Sequence, residues 1–290
     1  MPALFALLSS LLWGTADYLG GVATRRLPGP SVVGGSQLIA LLALLPIVAL
    51  TGALDTPTSY VVPGVLGGLV GTAAIGAFYQ ALATGTMGIV APVAALGVVL
   101  PVAAGLAHGD APTVPQLLGI AVAVAGVVLA SGPELTGGAG ARPLLLAVAA
   151  AIGFGVVFVL IAQGSRGGVG AVVMTLVTMR LTSVLARGVL LMASVTRRRL
   201  DLGVPRGWDL GVRRGDLPLL VAVGLGDVGA NACYAVATRA GLLSVVSVLG
   251  SLYPVVTVLL ARRLLAERLR PVQIAGVGAA LVGVVLLAAG

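Results

Sequence analysis

The chain has 290 residues, of which 59% are hydrophobic and only 9% are charged. Soluble domains carry about a quarter charged residues, so the composition excludes an ordinary soluble domain and predicts a polytopic membrane protein. The net charge of +8 does not indicate nucleic-acid binding, because no basic, aromatic-rich soluble face accompanies it. The single cysteine, Cys233, lies in an apolar run, which excludes a disulfide framework and a cysteine-based metal site.

Ten apolar runs have about the length that a bilayer-spanning helix needs, roughly 20 residues. They fall at 3–22, 32–51, 61–83, 87–107 and 115–131, and then at 143–162, 170–194, 217–238, 243–262 and 271–289. The first run lacks the basic segment and cleavage site of a secretory signal, so we expect it to be the first span. The predicted fold class is an all-α integral membrane protein with about ten transmembrane helices.

The first five runs and the last five runs correspond to each other in sequence. "LGVVLP", which ends at Pro101, matches "LGSLYP", which ends at Pro254, and Gln116 matches Gln273. The matches keep the same order along the chain. The paired prolines, Pro101 and Pro254, predict paired kinks that are either gating hinges or fixed bends.

An odd number of spans forces the second repeat to insert upside down relative to the first. We therefore predict two inverted five-helix repeats, 1–135 and 136–290, which is a recurring design of secondary transporters. Nearly all loop arginines lie in odd-numbered loops, where loop n follows span n, and the even-numbered loops hold only Arg166 and Arg239. The positive-inside rule then predicts a multi-pass protein of the cell membrane with cytoplasmic odd-numbered loops and both termini outside.

Four ionisable side chains lie inside predicted spans: Asp17, Arg180, Arg187 and Asp227. Each costs about 2.5–3.5 kcal/mol on insertion scales, so such groups face the bundle interior or a water-filled cavity. Asp227 and Arg180 lie near the centres of their spans, whereas Asp17 and Arg187 lie toward the odd-loop ends. One interpretation is two structural ion pairs, Asp227 with Arg180 and Asp17 with Arg187. The other is that these groups bind substrate or protons, and the two interpretations are compatible.

Polar residues recur at helical spacing beside the two acids. In the first span Ser10, Gly14, Asp17, Gly21 and Thr24 share one face. Trp13 lies in the middle of that span, where it either lines a cavity or fills a helix crossing. The candidate substrate- or proton-binding residues are Asp17, Asp227, Arg180, Trp13, Asn231, Tyr79, Gln80 and Tyr234, with Arg187 as a charge partner.

Two further sequence features do not indicate a cofactor or metal site. "GLGDVG" at 224–229 fits a dinucleotide-binding pattern, but it lies within an apolar span without the strand, turn and helix that such a site needs. His108 is the single histidine and lies at a loop edge, where no metal-ligand set accompanies it. We therefore expect no metal and no other cofactor.

The chain resembles the drug/metabolite transporter superfamily, specifically its EamA-type members with two five-helix repeats. The residues that carry the resemblance are Trp13-Gly14, Arg180-Leu181 and the run "YPVVTVLLARRLLAERLRPVQIAGVGAALVGVVL" from Tyr253. Two positions depart from the family pattern: Gln37 stands where the first repeat often has Arg, and Asp110 replaces the usual Glu. The resemblance implies a transporter and leaves the cargo open among amino acids, other metabolites and drugs.

The main hypothesis is a secondary active carrier of small metabolites or amino-acid-like compounds, working by alternating access as a proton-coupled exporter. Its partners would be a small-molecule substrate, the lipid bilayer and protons, with no nucleic acid. The alternatives are an uncoupled exchanger or facilitator on the same fold, and a non-transporting membrane scaffold. An intramembrane enzyme is disfavoured because the sequence shows no paired catalytic residues. The sequence does not indicate the substrate, the coupling ion or the oligomeric state.

Overall fold

A computed structural model describes residues 1–84, 93–130, 141–200, 213–264 and 270–289 of the chain. The described elements are helical throughout, as the sequence predicts. The α-helices are α1 (Pro2–Thr24), α2 (Gly29–Thr51), α3 (Val61–Thr84), α4 (Val99–Ala107), α5 (Val114–Ala130), α6 (Ala141–Gly164), α7 (Val169–Leu200), α8 (Leu217–Ala240), α9 (Leu243–Gly250), α10 (Tyr253–Leu264) and α11 (Pro271–Ala289).

Seven helical segments in the described part of the chain are long and apolar enough to cross a membrane, and three shorter apolar ones complete the ten predicted spans. α9 and α10 together form the ninth span, and α11 forms the tenth. The described boundaries agree with the predicted runs to within a few residues, while the predicted start of the fourth run at 87 and end of the fifth at 131 lie outside the described residues. The clearest difference is α7, which continues to Leu200 beyond the predicted end of its apolar run at residue 194.

The fourth and ninth spans are interrupted just before their matched prolines. A 3₁₀ turn over Leu96–Val98 precedes α4, which contains Pro101. In the ninth span the α-helix ends at Gly250 and a new one starts at Tyr253, immediately before Pro254. Proline cannot donate the backbone hydrogen bond that would continue the helix, so the two repeats share one discontinuity.

The last span of each repeat begins in the same way. Gln116 Oε1 accepts a hydrogen bond of 2.9 Å from the backbone N–H of Thr113, and Gln273 Oε1 accepts one of 2.9 Å from that of Arg270. Each glutamine reaches back three residues to satisfy an amide that the helix leaves unpaired. The sequence match between the two glutamines therefore corresponds to a shared structural role.

Helix packing follows an inverted two-fold arrangement. α1 packs against α8, and α3, which corresponds to α8, packs against α6, which corresponds to α1. Gly14 of α1 lies against Tyr253, while Gly155 of α6 lies against Leu100, the residue that corresponds to Tyr253. An added Cβ at either glycine would collide with its neighbour. Small residues thus allow close helix approach at equivalent places in both halves.

Candidate functional site

Asp227 of α8 is the centre of a polar cluster in which α1, α2, α7 and α8 meet. Its Oδ2 lies 2.9 Å from Nη2 of Arg180 on α7, so the expected ion pair between these residues is present. Gln37 of α2 bridges the two partners: its Nε2 donates to Asp227 Oδ2 at 3.4 Å, and its Oε1 accepts from Arg180 Nη1 at 2.7 Å. The cluster therefore contains charges from the second repeat and a neutral amide from the first.

The other carboxylate oxygen of Asp227 is also satisfied. Trp13 Nε1 on α1 donates to Oδ1 at 3.2 Å, and Asn231 Nδ2, one turn along α8, donates at 3.1 Å. Four side chains thus contact the Asp227 carboxylate in a region where an unpaired charge would be costly. Arg180 is almost fully buried, whereas the side chain of Asp227 retains 27% exposure.

Four aromatic rings cover one side of this cluster. Trp13 stacks on Phe158 with ring centroids 5.1 Å apart, and Phe158 stacks on Tyr234 at 4.8 Å. Tyr253 meets the edge of Trp13 at 6.2 Å. Tyr234 is fully buried and its hydroxyl hydrogen-bonds Ser247 Oγ at 2.8 Å. Trp13 therefore packs in a helix crossing, which is one of its two predicted roles, and also donates a hydrogen bond to a carboxylate.

A small pocket lies beside the aromatic rings, where both interrupted spans meet α6. Its lining comprises Ala94, Ala95, Gly97, Val98, Phe154, Gly155, Phe158, Ser251 and Tyr253. Gly97 and Val98 belong to the interruption of the fourth span, and Ser251 to that of the ninth. Discontinuous helices near the middle of the membrane are where many transporters form their binding sites, because unwound backbone is tolerated next to a cavity.

Asp17 differs from Asp227 because it is exposed. On α1 the lipid-facing residues Leu4, Leu8 and Leu11 are exposed, and at 3.6 residues per turn Asp17 lies on the opposite, inward side. Its carboxylate lies within electrostatic range of both Asp227 and Tyr253. An exposed residue on an inward face indicates an opening between the helices.

The geometry of α1 identifies the end at which the bundle is open. Gly14 is pressed against Tyr253 and Val256. Around Gly21, two turns further toward loop 1 on the same face, no atom of the described residues would approach an added Cβ. At the opposite end Gly170 packs against Thr56 and Gly241 packs against Pro2, so the two repeats are in contact there. Within the described ranges, the bundle is therefore closed toward the even-numbered loops, while the face of α1 around Gly21, toward loop 1, is uncovered.

The structure does not form the expected second ion pair. Among the described residues no ion pair joins Asp17 to Arg187, and Arg187 is engaged in other contacts. The reason is helix adjacency: α1 packs on α8, α9 and α10, whereas α7, which carries Arg187, packs on α2 and α3. Asp17 and Arg187 therefore lie at a similar depth in the membrane, but their helices have different neighbours, so the two side chains do not meet.

The remaining predicted residues lie apart from the cluster or have local roles. Gln80 is exposed near the end of α3, and the side chain of Tyr79 lies outside the described residues. Pro101 is buried in α4 and Pro254 partly buried in α10. His108 is exposed and its Nδ1 lies 2.7 Å from the carbonyl oxygen of Ala104, so it closes the end of α4. The described residues contain no group of three potential metal ligands.

Sequence analysis missed Gln37, Phe158 and Tyr253 as members of this site. Gln37 was noticed only as a departure from the family pattern. A usable signal existed for Tyr253, because it directly precedes the matched proline Pro254 in a span where most neighbours are aliphatic. Its place beside Trp13 depends on the helix interruption, which the apolar pattern does not reveal.

Comparison with known proteins relates the whole chain to one family. The model of the EamA-like transporter family matches residues 1–132 and, a second time, residues 141–289. A solved structure described only as "Crystal structure of protein" superposes with a TM-score of 0.75 at 21% identity, covering 98% of this chain and 95% of that chain. At that identity the likeness establishes the fold alone. No curated protein matches the chain.

Proposed function

Because the chain belongs to the EamA-like transporter family and is thus a multi-pass membrane transporter, we propose that it is a secondary active carrier working by alternating access. The observation that carries the proposal is the meeting of both interrupted spans at one pocket beside the Asp227 cluster. Two inverted halves that meet around a central site can tilt against each other and expose that site to one side of the membrane at a time.

The cargo would be a small metabolite or amino-acid-like compound. The pocket offers aromatic surface from Phe158 and Tyr253, and the nearby polar cluster contains both signs of charge, Asp227 and Arg180. Arg180 supplies a further recognition group, because its Nε–H is buried without an acceptor among the described residues. A carboxylate of the cargo is the chemistry that a guanidinium recognises best.

Asp17 is the residue that we assign to proton coupling. Asp227 is already engaged by Arg180 and by three hydrogen-bond donors, on Trp13, Gln37 and Asn231. Asp17 has no hydrogen bond or ion pair within the described part of the chain and faces the opening toward the odd-numbered loops. With those loops in the cytoplasm, as the arginine distribution favours, the open cavity would load cargo from the cell interior for export.

The test begins with a thermal-shift screen of the detergent-solubilised protein against amino acids, amines, nucleosides and sugar phosphates. The compound with the largest shift is then assayed for counterflow in proteoliposomes, with and without an imposed pH gradient. A coupled carrier accumulates the compound in response to the gradient. Counterflow that ignores the gradient would instead establish an uncoupled exchanger or facilitator, and the absence of both fluxes would contradict the proposal.

The orientation is tested separately. A cysteine placed in loop 7, in a background where Cys233 is replaced by Ser, should be inaccessible to an impermeant thiol reagent added to intact cells and accessible after lysis. Labelling in intact cells would place the odd-numbered loops outside and reverse the proposed direction of loading.

A further inference from the structure

At the closed end of the bundle, a side chain of one repeat caps a helix of the other. Asp110, in the turn between α4 and α5, accepts two hydrogen bonds on its Oδ2: one of 2.8 Å from the backbone N–H of Ser244 and one of 2.8 Å from its Oγ. Ser244 is fully buried in the first turn of α9. This is a charge-assisted contact between residues 134 positions apart in sequence.

The contact supplies what α9 lacks in its own sequence. Its N-cap residue is Leu242, which has no side-chain acceptor for the free amides of the first turn. The Asp110 carboxylate takes that place and also lies at the positive end of the helix dipole. The start of α9 is therefore held by the first repeat.

The turn that presents Asp110 is itself fixed. Gly109 has φ +98°, a conformation that favours glycine, and the backbone N–H of Asp110 donates to Gly105 O at 2.9 Å. An added Cβ at Gly105 would collide with the Asp110 carboxylate and the backbone of Ser244. The two repeats thus approach each other as closely as backbones allow at this point.

α9 connects this contact to the candidate site. It carries Ser247, which hydrogen-bonds Tyr234 of the aromatic cluster, and it ends at the interruption that borders the pocket. In the proposed alternating-access cycle, opening of the even-loop end separates the two repeats and thus moves α9 away from the turn between α4 and α5. That movement would break both hydrogen bonds to Asp110.

We propose that Asp110 is a positioning residue whose hydrogen bonds to Ser244 hold the carrier closed at the even-loop end while the odd-loop end is open. We call this contact between Asp110 and Ser244 the latch. The proposal rests on alternating access as the proposed function. Loss of the latch should shift the population toward the state that is open at the even-loop end. One or two charge-assisted hydrogen bonds of typical strength correspond to a shift of about tenfold to a hundredfold.

The experiment uses two cysteine reporters in a Cys233→Ser background. Ser9→Cys reports on the even-loop end, because Ser9 is fully buried near Gly250 and bonds only its own helix carbonyl at Ala6. Gly21→Cys reports on the odd-loop end, where the space is open. The purified protein in detergent is labelled with a hydrophilic maleimide, and the rate at each cysteine is measured with and without Asp110→Ala.

The latch predicts opposite changes at the two reporters. Asp110→Ala should raise the labelling rate of the Ser9→Cys reporter about tenfold or more and lower that of the Gly21→Cys reporter. General loosening of the fold would raise both rates, and unchanged rates at both would also overturn the proposal. Ser244→Ala, which removes only the hydroxyl bond, should give a smaller change in the same directions.

Two further variants serve as a control for the loss of an acidic side chain and as a milder change at position 110. Asp55→Ala removes another acid from an even-numbered loop, one that is exposed, and should leave both rates unchanged. If Asp110→Ala does not fold, Asp110→Asn keeps an oxygen acceptor without the charge and tests the same prediction with a smaller expected change. Because labelling needs no cargo, a failed transport assay with a positive labelling result would refute the carrier function and leave the latch standing.

Discussion

Arg180 Nη1 donates to Gln37 Oε1 at 2.7 Å. Gln37 lies in the second span and Arg180 in the seventh, which is the corresponding span of the other repeat. The contact brings the two halves together at the buried Asp227 cluster. A carboxylate that pairs with one guanidinium leaves no charge for a second, so a neutral residue at position 37 fits the local charge balance.

The Gln37→Arg variant tests this charge balance. It would place a second guanidinium directly against the Arg180–Asp227 pair, where Asp227 is the one carboxylate that Arg180 contacts, and we expect it to lower the free energy of unfolding by about 3 kcal/mol. Chemical unfolding in mixed micelles measures the loss. Gln37→Leu, which removes the amide without adding charge, should cost less, about 1–3 kcal/mol. Equal stability of Gln37→Arg and the unchanged protein would contradict the balance.

Removing either member of the Asp227–Arg180 pair should have unequal effects. Asp227→Asn leaves a guanidinium whose side chain is only 4% exposed, whereas Arg180→Gln leaves a carboxylate that is 27% exposed and can be hydrated. We expect Asp227→Asn to cost about 3–5 kcal/mol of unfolding free energy and Arg180→Gln clearly less. The double variant should lose less than the sum of both. Additive losses would show that the pair does not act as a unit.

Trp13 should contribute through two separable interactions. Trp13→Phe keeps a ring against Phe158 and Tyr234 but removes the hydrogen bond to Asp227, so we expect a loss of about 1 kcal/mol. Trp13→Ala also removes the stacking surface and should cost about 3–5 kcal/mol. Unfolding experiments on both variants separate the contributions. Equal losses would mean that the ring packing contributes little.

Glycines on one face of α1 should respond differently to substitution. Gly14→Ala forces an added Cβ into the backbone and side chain of α10, so it should destabilise the protein by about 1–3 kcal/mol. Gly21→Ala meets open space and should be neutral or stabilising by up to about 1 kcal/mol. Gly155→Ala should behave like Gly14→Ala, because it meets the equivalent contact in the other repeat. A destabilising Gly21→Ala would show that the odd-loop end is closed.

The sequence was sufficient for the features that repeat or have a fixed period. Apolar run length predicted the ten spans, and the internal matches pointed to Pro101 with Pro254 and Gln116 with Gln273, whose shared roles the structure shows. Depth in the membrane was enough to suggest that Asp227 meets Arg180.

Depth in the membrane does not predict a contact when the contact depends on which helices are neighbours. Asp17 and Arg187 lie at similar depth, but their helices face different neighbours, and an apolar pattern does not encode which spans touch. The paired prolines predicted kinks in the fourth and ninth spans, but the apolar pattern did not show that the helices break there, because the residues around the breaks are as apolar as any helix interior. The contact between Asp110 and Ser244 depends on both effects, since it joins a loop to an interrupted span of the other repeat.

The most direct test of the account is the pH response of Asp17→Asn. In proteoliposomes, with the compound that gives the largest thermal shift, the unchanged protein should accumulate that compound when a pH gradient is imposed. Asp17→Asn should retain counterflow exchange, because the amide mimics a permanently protonated carboxyl, and should lose gradient-driven accumulation. Accumulation by Asp17→Asn at the rate of the unchanged protein would contradict the assignment of proton coupling to Asp17.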